Sequence, residues 1–266
     1  MPLLTAPYGE ILAAMFGLIV GSFLNVVIHR MPLEQSIVKP RSYCPQCKHP
    51  IRWYDNIPLL SYLMLRGKCR DCQQAISIRY LLVEVLTGLV SLQTFLFFNR
   101  SPFFYFAYFC LLLAPLLAVI FIDLRHRIIP NAISLPGILV GTAVHYLDAP
   151  PGWELRTLLD SVIGILAGGG FLFLVAFAYE KIRKKEGLGG GDVKLAAMLG
   201  AFFGWQPVLM ILLVASVFGS LVGLLVVFIK KNWQYALPFG PFLSISAYFQ
   251  LFLGDKLLRW YLGLFH

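Results

Sequence analysis

Ala118-Val119-Ile120-Phe121-Ile122-Asp123 and Gly189-Gly190-Gly191-Asp192 each place a carboxylate where a long apolar segment meets a basic stretch. The surrounding chain decides what that means. It has 266 residues, 59% hydrophobic and 13% charged, with a mean hydropathy of +0.76. Soluble domains carry about 25% charged residues, so the composition indicates an all-α polytopic membrane protein. In such a chain a carboxylate at the end of a span is a candidate for chemistry rather than solubility.

A spanning helix needs about 20 mostly apolar residues. That length predicts about eight transmembrane helices, at roughly 9–29, 79–98, 103–123, 128–147, 157–179, 192–205, 208–229 and 237–262. The sixth is short and Gly-rich, and the eighth is interrupted by Pro238, Gly240 and Pro241, which suggests a kinked or re-entrant start. With the N-terminus outside, the inner loops are 30–78, 124–127, 180–191 and 230–236. Counting Arg79 and Lys194 at their edges, they hold 18 of the 22 Lys and Arg residues. The outer side keeps Arg100, Arg156, Lys256 and Arg259. The positive-inside rule therefore sets the orientation. Residues 1–10 lack Lys and Arg, so the first span reads as an anchor and not a cleaved leader. The net charge of +9 lies mainly on the inner face, where anionic membrane lipids are the expected counter-charge and nucleic acid is not expected.

The composition divides the chain into a first transmembrane helix (1–29), a polar, basic, Cys-containing loop (30–78) and a transmembrane core (79–266). The loop is too small to bury a sufficient core unaided. It holds Cys44-Pro45-Gln46-Cys47 and Cys69-Arg70-Asp71-Cys72. Two such pairs supply a tetrahedral four-sulfur shell, the usual structural zinc site, with no position open for a catalytic water. The alternative is a pair of disulfides or two redox motifs, which a cytosolic placement disfavours. Cys110, within a span, reads as a small core residue.

The loop count puts Asp123 and Asp192 on the same, cytosolic side. Two adjacent carboxylates share a proton, so that one activates a water while the other polarises a scissile carbonyl. Glycines before Asp192 would let a substrate strand approach. Structural alternatives stay open at this stage: Asp192 as a helix cap, and Asp123 as an interfacial partner of Arg125 or Arg127. Glu84 is expected to hold a cationic group or pair with a nearby Arg, Lys194 to snorkel, and Asp160 to be interfacial.

Several stretches together resemble one family, the type IV prepilin peptidases. They are Gly21-Ser22-Phe23-Leu24-Asn25-Val26-Val27-Ile28-His29-Arg30, the two cysteine pairs, Trp53-Tyr54-Asp55-Asn56-Ile57-Pro58 and Arg66-Gly67-Lys68-Cys69-Arg70. Asp123 with Ile129-Pro130-Asn131, Gly189-Gly190-Gly191-Asp192-Val193-Lys194-Leu195 and Pro238-Phe239-Gly240-Pro241-Phe242 complete the set, in the family's order. The resemblance implies a bacterial inner-membrane aspartyl protease with catalytic Asp123 and Asp192. It would remove the basic leader of a prepilin or a type II secretion pseudopilin on the cytosolic side. It would then N-methylate the new terminus with S-adenosylmethionine. Many members read Ile-Pro-Asp where this chain has Asn131. The complete quartet of Cys44, Cys47, Cys69 and Cys72 favours the bifunctional form.

Methyl transfer follows from no motif in the chain; Gly187–Gly191 supplies no dinucleotide-type fingerprint. A peptidase lacking methyltransferase activity is therefore one alternative. A proton-coupled transporter is another, disfavoured because the aspartates sit at inner span ends and no repeat is visible. A basic leader meeting a basic face would be repelled, so recognition is expected from local acids such as Glu34, Asp55 and Asp71, or from lateral delivery through the bilayer.

Overall fold

The computed structural model describes residues 8–98, 101–184, 189–230 and 237–263. Arg100, Lys185, Gly187 and Lys231, which enter the charge and motif readings above, lie outside them. The described residues form helices α1 (Tyr8–Arg30), α2 (Leu60–Met64), α3 (Ile78–Phe97), α4 (Pro102–Tyr108), α5 (Ala114–His126), α6 (Asn131–Leu147), α7 (Glu154–Ile165), α8 (Phe171–Arg183), α9 (Gly190–Phe203), α10 (Trp205–Lys230) and α11 (Gly240–Gly263). Wider π-turns at Phe109–Leu113 and Leu166–Gly170 join α4 to α5 and α7 to α8. No strand occurs among the described residues, as expected of an all-α membrane protein.

Among the described residues, five helices are long and apolar enough to cross a bilayer: Tyr8–Leu33, Ile78–Phe97, Pro102–His126, Glu154–Ile182 and Trp205–Lys230. The chain is a multi-pass membrane protein, but a count of eight crossings does not follow. The segment expected at 128–147 is a 17-residue helix, and the one expected at 192–205 is the 14-residue α9. At 1.5 Å per residue, α9 is about 21 Å long, short of the roughly 30 Å hydrocarbon core. The last helix begins at Gly240, later than the expected 237, because Pro238 and the turn at Phe239 precede it.

Two compact units divide the chain, Met1–Ala118 and Val119–His266. In the first, α1 and α3 pack along a seam of small residues. A Cβ on Gly17 would meet Ser91, Thr87 and Gly88 at 2.5–2.8 Å, and one on Gly21 would meet the Glu84 backbone at 2.7 Å. Lipid tails are as apolar as the side chains, so the hydrophobic effect does not drive association there and such close approach supplies the contact. Hydrogen bonds cross the seam: Ser91 donates to the Ala13 carbonyl oxygen (2.6 Å), its oxygen lies 2.7 Å from the Tyr105 hydroxyl, and Asn25 donates to the Tyr80 carbonyl oxygen (3.0 Å), its own Oδ1 being buried without a partner among the described residues.

In the second unit α9 is the centre. Leu195, Ala196, Met198, Leu199, Ala201 and Phe202 are buried to within 1%, as befits a helix apolar on all sides. Glycines on its neighbours make room for it. Gly137 and Gly141 of α6 face Met198 and Phe202, while Gly168 and Gly169 of the π-turn face Ala196 and Ala197. Gly164 of α7 crosses Gly200 backbone to backbone. Ser161 donates to the Ala201 carbonyl oxygen at 3.0 Å. Gly164→Val places its branched side chain against the Gly200 carbonyl, where no rotamer can relieve it. The expected cost is at the upper end of, or beyond, the roughly 1–3 kcal/mol of ordinary overpacking, read as a lowered unfolding midpoint in detergent.

Candidate active site and cysteine centre

Asp123, near the end of α5, is 4% exposed and accepts a hydrogen bond from the Gly240 backbone N–H (3.1 Å). That amide belongs to the first turn of α11, so the carboxylate sits at the positive end of a helix. The approach requires glycine: a Cβ at residue 240 would lie 2.6 Å from Asp123 Oδ2. The charge of Arg127 acts on Asp123 as well, but its direct partner is a backbone amide from a helix 117 positions away in the chain.

Asp192 occupies the third position of α9. The N-cap is Gly189, whose carbonyl oxygen accepts the Asp192 N–H (3.0 Å). Asp192 is therefore not the N-cap residue; its carboxylate turns back toward the Gly189 backbone, as the acidic member of a capping box does. It is only partly exposed, and the charge of Asp123 acts on it directly. The two aspartates each sit at a helix N-terminus, on either side of Ile129, and the charge of one acts on the other.

Ile129, 9% exposed, lies between those helices. A Cβ on Gly191 would approach its Cβ at 3.0 Å, and one on Gly240 would approach its Cδ1 at 3.0 Å. The neighbouring Asn131 accepts a hydrogen bond from Lys194 Nζ (2.9 Å). Lys194 thus bridges the start of α6 to the start of α9 and does not simply extend to headgroups. Asp160 is not merely interfacial either: it pairs with His145 Nε2 (3.2 Å) and fills the space left by Gly204 at φ +78°. Sequence reasoning missed Gly240, Ile129 and the Lys194–Asn131 clasp as parts of the site. The signal for Gly240 was a glycine between Phe239 and Pro241 at a helix start, which marks close backbone approach.

The cysteine loop in the first unit consists of two matching turns. Around Cys44 and Cys47, the Cys44 N–H donates to the His49 carbonyl oxygen and the Lys48 N–H to that of Cys44 (3.0 and 2.9 Å). Around Cys69 and Cys72, the Cys69 N–H donates to Gln74 and the Gln73 N–H to Cys69 (2.9 and 3.0 Å). Antiparallel bridges Tyr43–Pro50 and Lys68–Ala75 close the turns, and Lys48 (φ +61°) and Gln73 (φ +58°) make the same left-handed step after the second cysteine. All four Sγ atoms lie within 4.8 Å of one another, and Cys44 and Cys72 are 3.8 Å apart. Zinc–sulfur bonds of about 2.3 Å give a tetrahedron with edges of about 3.8 Å, so the quartet fits that ion. The cysteines are free thiols, not disulfides. Cys110 is partly exposed, in the π-turn at Phe109–Leu113, and so is not a fully buried core residue.

The acids expected to recruit a basic leader are largely engaged within the loop. Asp55 binds Arg70 through both carboxylate oxygens (2.7–3.1 Å), and this hydrogen bonding holds its carboxyl below the usual range. Asp71 lies 3.2 Å from His49 and 4.0 Å from Arg52. Glu34 is exposed at the end of a short 3-10 turn. Among the described residues Glu84 pairs with no Arg; it accepts the Leu59 backbone N–H (2.8 Å) and interacts with the Ser22 hydroxyl, fastening the loop to the α1–α3 pair.

Residues 15–98 match the Bacterial Peptidase A24 N-terminal domain, and residues 110–224 match the Type IV leader peptidase family. A prepilin leader peptidase/N-methyltransferase of Aeromonas hydrophila is 38% identical, covering 94% of this chain and 93% of its own. Proteins of the same name from Myxococcus xanthus (44% identical; 82% of this chain, 63% of theirs) and Pseudomonas putida (38%; 92% and 91%) are similar. No solved structure matches. The aspartates, glycines and cysteines described above fall inside these matched stretches, Gly240 excepted, and identity of this level over nearly the full length means that the chain belongs to the type IV leader peptidase family.

Proposed function

We propose that the protein removes the leader of type IV prepilins or type II secretion pseudopilins and then N-methylates the new terminus. The observation that supports the reading is that Asp123 and Asp192 each lie at a helix N-terminus and that the charge of one acts on the other. With one proton between them, one carboxylate takes a proton from water as it attacks the scissile carbonyl. The other donates a hydrogen bond to the developing oxyanion, then supplies the proton to the leaving amine. The Gly240 amide holds Asp123 in place for this exchange. The relatives' names support both activities.

The proposed membrane is the bacterial inner membrane, with the N-terminus periplasmic and the cysteine loop and aspartates cytosolic, as the Lys and Arg distribution favours. Residues 1–29 form the first anchor, 30–78 a zinc module held by Cys44, Cys47, Cys69 and Cys72, and 79–266 the peptidase core. Zinc bound there supplies a fold constraint, with all four positions filled by sulfur. S-adenosylmethionine is the proposed methyl donor. The described residues contain no strand–turn–helix cradle for it, and no residue is assigned to it. Purified protein in lipid with a prepilin, followed by mass spectrometry with and without S-adenosylmethionine, is the test. Leader loss in both samples and a 14 Da gain in the second, one methyl group, are expected; an intact prepilin in both rejects the peptidase reading.

A further inference from the structure

The segment from Trp53 to Leu65 is folded inside out for a loop in water. In α2, Leu60, Leu63 and Met64 fall at i, i+3 and i+4 and share one helix face. They are 56%, 58% and 80% exposed, while Ser61 is buried at 8%. Ser61 donates to the Tyr54 carbonyl oxygen (2.9 Å), which fastens the turn Trp53–Asn56 to the same helix. That turn adds Trp53, 81% exposed, and Ile57 follows at 40%. A helix that turns its serine inward and its leucines outward is arranged for an apolar surrounding.

The tether of this segment indicates which surrounding. Leu59, immediately before α2, donates its N–H to Glu84. Glu84 lies six positions beyond Ile78, the first residue of span α3, so Leu59 is held about 9 Å along that helix from its start. Interfacial helices bury their apolar face about 5–10 Å below the headgroups. Leu59 itself takes φ +62°, a conformation that non-glycine residues adopt only where neighbouring structure fixes it. Around the segment, Arg52, Arg66, Lys68 and Arg70 are exposed, and from Arg30 to Ser77 there are eight Lys and Arg against three Asp and Glu. Exposed Trp and Tyr side by side, with cations at the rim, are the chemistry of a membrane–water boundary.

We infer that Trp53–Leu65 is an interfacial wedge: it inserts its apolar face into the anionic leaflet beside α3 and, through the Glu84–Leu59 bond, holds the cysteine module against the bilayer. The inference is independent of the catalytic reading.

The test compares the wild-type chain with Trp53→Phe, both reconstituted in phosphatidylglycerol-containing bilayers. The difference in fluorescence isolates Trp53. Lipids brominated high on the acyl chain are expected to reduce that difference roughly by half, as for a ring 5–10 Å below the headgroups, while aqueous iodide leaves it unchanged. Leu60→Asp with Met64→Asp is expected to reverse the pattern without altering the tryptic fragments of the cysteine module. The wild-type measurement decides alone if that double variant misfolds. A Trp53 signal quenched by iodide and untouched by bromine overturns the wedge. So does protection that appears only on adding prepilin, or only as the protein-to-lipid ratio rises. Those results assign the face to substrate or to a second copy.

Discussion

Asp192→Asn, in an otherwise unaltered chain, is expected to lower leader cleavage by about 10²–10⁴-fold, the usual contribution of a positioned acid or base, and Asp123→Asn by a similar factor. Asparagine keeps the shape and the hydrogen-bond acceptor, so α9 should still start at Gly190 and the Gly240 amide should still find an oxygen. What is lost is the exchangeable proton. Because the two groups act as one unit, the double variant should be little worse than either single one. Asp160→Asn is the matched control. Asp160 fits against Gly204, at the far end of α9 from Asp192, about 18 Å along the helix axis, and cleavage should stay within a few-fold of wild type. Initial rates on a synthetic prepilin, measured alongside the unfolding midpoint of each variant, decide the matter. Near-normal cleavage by either catalytic variant would falsify the pair.

Why the proposed dyad was partly legible follows from what each aspartate needs. Its residues could be placed on one face of the membrane by counting basic loops, because charge distribution is a property of the linear chain. Their three-dimensional surroundings could not be read, since these depend on the burial of α9 and on Gly240, whose amide contacts Asp123 across 117 positions. Helix length leaves the count of eight spans open for a related reason. Hydropathy marks α9 as apolar, and its apolar faces are covered by α6, α7 and the Leu166–Gly170 turn, so apolarity there reports packing whether or not the 14-residue helix crosses. Lys194 and Glu84 were only partly legible because a charged residue near a span end has several inexpensive fates. Only the fold shows that Lys194 reaches Asn131 and that Glu84 takes the Leu59 amide. The cysteine quartet was the most legible feature, because metal chemistry fixes its spacing locally.

That locality makes the second large effect predictable. Cys→Ser at residue 44, 47, 69 or 72 is expected to take bound zinc from one ion per chain to almost none. Serine is a poor zinc ligand, and a three-sulfur shell leaves the fourth position to water. The module has little else to hold it: its two turns are closed by isolated bridges, and among its cysteines only Cys44 is buried. Binding free energies of about 10–16 kcal/mol for structural zinc in small peptides exceed anything that the Asp55–Arg70 contact, with its half-exposed arginine, would contribute. Trypsin should therefore cut at Arg52, Arg66, Lys68 and Arg70 in the variants while sparing them in the wild-type protein. Metal analysis and the proteolytic pattern are measured on the same sample. A zinc-free variant that remains resistant would mean that the bilayer contacts of Trp53–Leu65, and not the ion, keep the module folded.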